Sequence, residues 1–193
     1  MTGRAFFAIV EARLRSERRT VAYACAAAAV VGFVQPHGLA APAFFGSLLG
    51  IVVALIQSPG RFAHLDLCEQ SAPVFGRELA RAKALVPCVV ATLALATYCA
   101  AATLAGSREA PAAFVVAIGA IVPSTLTALS ATLRTGTARL LYVAMACAVS
   151  AATYALAAFA GSVPGELGFA AVVSFLALRQ YGETLARHDP LPG

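Results

Sequence analysis

The fold that this sequence predicts is all-α: a polytopic membrane bundle of six transmembrane helices with an N-terminal interfacial helix. Three observations predict it. Of the 193 residues, 60% are hydrophobic and only 12% are charged, about half the charged share of an average soluble domain. Apolar runs recur through the whole chain, which points to one transmembrane domain over residues 1 to 193 rather than a soluble domain with an anchor. The basic residues collect in the short segments between those runs, where lipid headgroups would lie.

Residues 3 to 19 come first. Phe6, Phe7, Ile9, Val10 and Leu14 alternate with Arg4, Glu11, Arg13, Arg15, Glu17, Arg18 and Arg19 at close to helical spacing. That stretch is too charged to cross a bilayer and fits a helix lying in the interface. The basic stretch followed by Val21 to Val34 resembles a signal peptide, but it carries Glu11 and Glu17, and Gln35-Pro36-His37-Gly38 is a poor small-residue cleavage site. The run is therefore read as the first span.

Six apolar segments follow, near 20 to 34, 39 to 56, 85 to 104, 112 to 133, 140 to 160 and 164 to 182. A span needs roughly 17 to 25 residues, so the first is short, and the sixth is strongly apolar only from Leu167 to Leu178. Breaks at 35 to 38, 106 to 111 and 161 to 166 hold turn residues and a single basic residue, Arg108. The other thirteen of the fourteen Lys and Arg lie on the alternate side: in the N-terminal stretch, in the loop 57 to 84, at Arg134 and Arg139, and at Arg179 and Arg187. The positive-inside rule then puts both termini and the long loop in the cytoplasm, with the chain in the plasma membrane. The spans are rich in small residues, as in Ala26 to Ala29, Gly46 to Gly50 and Ser150 to Thr153, which let helices approach closely in lipid.

Few chemistries are compatible with this composition. The net charge of +5 is spent on topology, so nucleic acid is not an expected partner. Cys25, Cys88, Cys99 and Cys147 lie in apolar runs and Cys68 in a loop, without a CxxC pair, so they read as small, buried, reduced side chains. No metal or cofactor is expected. Between the loops the spans contain no Asp, Glu, Lys, Arg or His; Glu166 and His37 sit at the external rim and Arg179 at the cytoplasmic end of the sixth span, so the usual proton or ion site of a carrier is not expected. There is no GxxxxGK(S/T) phosphate loop, no HExxH and no GxSxG, and His37, His64 and His188 all lie in loops or tails. An enzyme is not expected, and energy for transport would come from another chain. Tyr98 and the stripe Pro123, Ser124, Thr125 and Thr127, with Ser130, are the polar features within the spans. They read either as a proline kink repaired by hydroxyls or as a face that contacts substrate.

Residues 57 to 84 form the one long hydrophilic connection. After Pro59-Gly60, Phe62, Leu65, Leu67 and Cys68 share an apolar side while Arg61, His64, Asp66 and Glu69 stay wet, as in a short amphipathic helix. A second helical start follows Pro73, where Arg77, Glu78, Arg81 and Lys83 crowd the end of the third span.

The stretch Pro73-Val74-Phe75-Gly76-Arg77-Glu78-Leu79-Ala80-Arg81-Ala82-Lys83 resembles the signature of the membrane subunit of type-2 ATP-binding-cassette exporters, a proline-valine, an arginine-glutamate-leucine and then a lysine leading into the third helix. The layout is similar too: an interfacial helix, two spans, a cytoplasmic loop and four further spans. A narrower similarity, through Glu69-Gln70 and the turn Arg134-Thr135-Gly136-Thr137-Ala138-Arg139, is to the haem-exporter permease of cytochrome c maturation. The family's acidic residue ahead of the proline is offset here, at Asp66 and Glu69. The resemblance implies a dimer, or a pair with a paralogous membrane subunit, that moves a hydrophobic or amphipathic substrate. It also implies a separate ATPase subunit seated on residues 61 to 72, with Arg61, His64, Asp66, Glu69, Arg77, Glu78, Arg81 and Lys83 as the coupling set. A non-transporting membrane scaffold or assembly subunit is the alternative expectation.

Overall fold

The computed structural model describes residues 3–34, 40–56, 76–160 and 163–188. Among them the chain is entirely helical: α1 (Gly3–Ser16), α2 (Arg18–Val34), α3 (Ala40–Ile56), α4 (Gly76–Leu104), α5 (Ala110–Thr132), α6 (Gly136–Ala160) and α7 (Val163–His188). Three stretches are long and apolar enough to cross a membrane: Leu79–Leu104, Ala110–Thr132 and Gly136–Leu156; Gly46–Ile56 is a shorter apolar stretch.

Two boundaries differ from the sequence reading. The hydrophilic connection does not run to residue 84: α4 begins at Gly76, so Arg77, Glu78, Arg81 and Lys83 lie on its first turns. Leu79, Ala80 and Ala82 share that stretch with the charges and give it a packing face, so the helix starts well before its apolar part. Likewise the interfacial stretch is a helix only to Ser16; Glu17 is a one-residue break before α2. The backbone stays hydrogen-bonded across it, through Glu17 N–H to Arg13 O and Val21 N–H to Glu17 O.

Neighbours in sequence are not always the principal neighbours in space. α5 is the hub, packed on α3, α6, α7 and α4, while α2 packs chiefly on α4 and α1 lies on the start of α4. Small residues at four-residue spacing create the two closest seams. On α2, Ala24, Ala28 and Gly32 are all buried. A Cβ at Gly32 would stand 2.5 Å from the Tyr98 carbonyl oxygen and 3.1 Å from Ala101 Cβ, so only glycine lets α2 meet the α4 backbone there. On α3, Gly46 faces Ile121 and Gly50 faces Thr125 of α5, where an added Cβ would overlap the Thr125 hydroxyl. Those two contacts advance together by four residues, so α3 and α5 run parallel.

The two ends of the bundle differ in charge. Ile9 and Val10 of α1 pack on Ala82 and Val86 of α4, a Cβ added at Gly182 of α7 would stand 3.8 Å from Ala80 Cβ, and Arg134, after α5, lies over Tyr142 of α6. One end therefore gathers α1, the first turns of α4, the α5–α6 turn and the last turns of α7. With them come Arg13, Arg15, Arg18, Arg19, Arg81, Lys83, Arg134, Arg139 and Arg179. The α4–α5 turn at the other end carries Arg108 and Glu109 and is made by Gly106 at φ +96°. Between the ends large apolar side chains point outward, including Val30, Phe33, Leu93, Val115, Met145, Val172, Phe175 and Leu176. Such a belt exceeds what a water-facing surface normally shows.

Candidate functional site

The expected coupling set divides between two parts of the chain. Arg61, His64, Asp66 and Glu69, with the rest of the stretch 61 to 72, lie outside the described residues. Arg77 and Glu78 are on the first turn of α4, Arg81 is exposed, and Lys83 is half-buried and partnered. The helical periodicity explains the last two positions: Ala80 and Ala84 pack on one side of the helix and Ala82 and Val86 on the other, where α1 docks, leaving Arg81 outside on the exposed strip between. α1 seals this corner, with Phe6, Leu14 and Leu79 flanking Ile9, Val10, Ala82 and Val86. Its opposite side is an open groove lined by Phe7, Val10, Glu11, Leu14, Arg15 and Arg18, where Arg15 is tied to Glu11 at 2.6 Å. An apolar floor with a rim of guanidinium groups is the chemistry of a headgroup interface.

The polar residues within the spans are interior to a single bundle. Tyr98, Pro123, Ser124, Thr125 and Thr127 are all buried. Tyr98 belongs to a cluster with Leu95 and Ile121, and Thr125 lies beneath Gly50. Ser124 Oγ donates to the Ala120 and Ile121 carbonyls at 2.7 and 3.0 Å, and Thr127 Oγ1 donates to the Pro123 carbonyl at 2.7 Å. These hydroxyls bond back to their own helix, at Ala120, Ile121 and Pro123 and not at Gly119, whose carbonyl is the one the proline leaves without a donor. Thr125 Oγ1 and Ser130 Oγ are buried without a hydrogen-bond partner. α3 covers Thr125 at Gly50.

A second polar constellation lies at the basic end. Tyr142, almost wholly buried, accepts a hydrogen bond from Gln180 Nε2 across α6 and α7. The Arg134 guanidinium carbon stands 4.2 Å from the centre of the Tyr142 ring, and its Nε is buried without a hydrogen bond. In the sequence Arg134 reads as a topology marker and as part of the basic turn 134 to 139, not as a partner of Tyr142 on the following helix.

A third departure concerns α1. Arg13 and Glu17 are among the most buried charged residues, at 5% and 2% exposure, and both Glu17 carboxylate oxygens are buried without a hydrogen bond. Their spacing from Ile9 and Val10 puts them on the helix face that meets α4. The cysteines also divide: Cys99 is buried, Cys25 and Cys88 are partly buried, and Cys147 is exposed on the outer face of α6, which corrects its reading as a buried side chain. Cys68 lies outside the described residues. Among the described residues, no group of three or more His, Cys, Asp or Glu could hold a metal ion.

No family model matches the chain, and no curated protein or solved structure matches it.

Proposed function

We propose that the chain is the membrane subunit of an ATP-driven exporter: a six-span unit with both termini in the cytoplasm, driven by a separate ATPase and working as a dimer or beside a paralogous subunit. One observation carries the reading. α1 is clamped on the first turns of α4 at the basic end of the bundle, beside the residues from Gly76 to Lys83 that resemble the exporter signature. A push on the segment leading into α4 would reach α1 and, through α4, both α2 and α5. A ligand moves such an equilibrium only through contacts that differ between states, and a lever at this corner supplies them.

The belt of outward apolar side chains and the three long apolar helices support a bilayer as the solvent. The lack of Asp, Glu, Lys, Arg and His from the middle of the spans favours a hydrophobic or amphipathic substrate over an ion. The test is purification of the tagged chain from its native membrane with assay of the eluate for ATP hydrolysis. The reading expects a co-purifying ATPase whose activity falls in the Asp66→Lys/Glu69→Lys double variant while insertion is unchanged. An eluate without ATPase activity, or an unaffected double variant, contradicts it.

A non-transporting assembly role is favoured by a different observation. α6 presents Leu140, Leu141, Ala144, Met145, Ala148 and Ala151 outward, a face smooth enough to seat another membrane helix. That role expects a stable partner membrane protein and no ATPase in the same eluate.

A further inference from the structure

We propose that the turn between α5 and α6 is a binding site for the phosphate of an anionic phospholipid, held by Arg134 and Arg139. The inference rests on the chain lying in a bilayer and is independent of the exporter assignment.

The site is built before any ligand arrives. Arg134 follows the last turn of α5, its backbone N–H bonded to the Ala131 carbonyl at 3.2 Å. Its guanidinium carbon lies over the Tyr142 ring, 4.2 Å from the centre, and Tyr142 is fixed in turn by Gln180. Stacking fixes the plane of the fork without using its donors. The buried Nε makes no hydrogen bond, so a charge-assisted donor is left unused in a partly desolvated place. An outside anion cannot reach the buried Nε; the Nη donors of the same fork are not buried and are the ones a phosphate oxygen can meet.

Arg139 is exposed five residues on, and neither arginine has an acidic partner among the described residues. Arg15 and Arg179 are the contrast, tied to Glu11 and Glu183. Between the two arginines the chain turns at Gly136, at φ +60° with open space where a side chain would stand, and α6 begins there. The first N–H groups of α6 have no intrahelical acceptor, and its dipole adds to the positive potential.

What selects a lipid over a soluble phosphate is the next turn of α6. Leu140 and Leu141 are 70% and 60% exposed, directly beyond Arg139. An anion held at the arginines therefore has an apolar wall beside it that suits acyl chains. Basic pockets at the ends of membrane helices bind headgroups in this way.

The experiment compares thermal unfolding of the full-length chain in phosphatidylcholine nanodiscs, in nanodiscs containing phosphatidylglycerol, and in phosphatidylcholine with added inorganic phosphate. Phosphatidylglycerol should raise the melting temperature by about 5 °C, and inorganic phosphate should not. Arg134→Gln/Arg139→Gln should lose that shift while melting normally in phosphatidylcholine; Arg108→Gln, at the opposite end, should keep it. Should the double variant melt low in every lipid, Arg139→Gln alone decides, because this exposed residue can be changed without disturbing the Tyr142 stack, and it must lose a clear part of the shift. Retention of the full shift by Arg139→Gln, or an equal shift with inorganic phosphate, overturns the proposal. A chain that stays in solution without detergent would instead contradict the bilayer reading, before any lipid is added.

Discussion

α5 and α6 follow one another and are both long and apolar, yet 72% of the most apolar stretch of α5 is buried in protein against 17% for α6. Their mean hydropathies of 2.0 and 1.5 both suit a span and do not account for that gap. What does is the company each keeps: α5 is covered by the glycine face of α3 and carries its hydroxyls inward, whereas α6 turns Leu140, Leu141, Met145 and Cys147 outward. In water such a difference would be intolerable for α6. In lipid the outer face is at no disadvantage, and small residues rather than greasy ones mark where helices meet.

The strongest way to break this contrast is at the seam of the central helix. Gly50→Leu should drive α3 off Thr125 and cost about 3 kcal/mol or more, read as loss of the folded species in detergent melts. Gly168→Leu, where nothing lies within 4 Å of the added Cβ, should stay within about 0.5 kcal/mol apart from its helix propensity.

The next largest effect belongs to the outer helix. Cys147→Arg places a charge near the middle of α6 on its outward face. Facing lipid it should cost about 2.5 to 3.5 kcal/mol and lower the inserted fraction. Facing water the same change would be nearly neutral, so the measurement separates the two solvents.

Smaller effects sharpen the comparison at the shared end of the two helices. Tyr142→Phe removes the acceptor for Gln180 and should cost about 1 kcal/mol in thermal unfolding. The Arg134 stack over the ring would survive, because phenylalanine keeps the π face. Least of all, Met145→Leu on the outer face should change stability by less than about 0.5 kcal/mol.

How much of this was legible in the sequence depends on the kind of residue. The helices were, because the spacing of Phe6, Ile9, Val10 and Leu14 and the apolar runs carry the periodicity directly. The one-sided arginines were, because charge position needs no tertiary information. The start of α4 was legible as a helix beginning after Pro73, but its packing face of alanines, set among Arg77, Glu78, Arg81 and Lys83, was not. The direction of the hydroxyl stripe was not either. Thr125 faces α3 only because Gly50 has no side chain, a fact that belongs to two segments at once. The burial of Arg13 and Glu17 likewise depends on where α1 docks. Of the candidate coupling residues, Arg61, His64, Asp66 and Glu69 remain a reading of sequence, and Arg81 and Lys83 gain a place at the basic corner.

The central claim is that lipid surrounds the apolar belt and leaves the arginine-rich end on one side. It is tested most directly by labelling single cysteines with a membrane-impermeant maleimide in sealed, oriented vesicles. With the five native cysteines replaced by alanine, Arg81→Cys and Arg139→Cys report one end and Arg108→Cys the other. The account predicts that Arg108→Cys reacts from outside, while the other two react only after the vesicles are opened. Equal labelling of all three in sealed vesicles would contradict it.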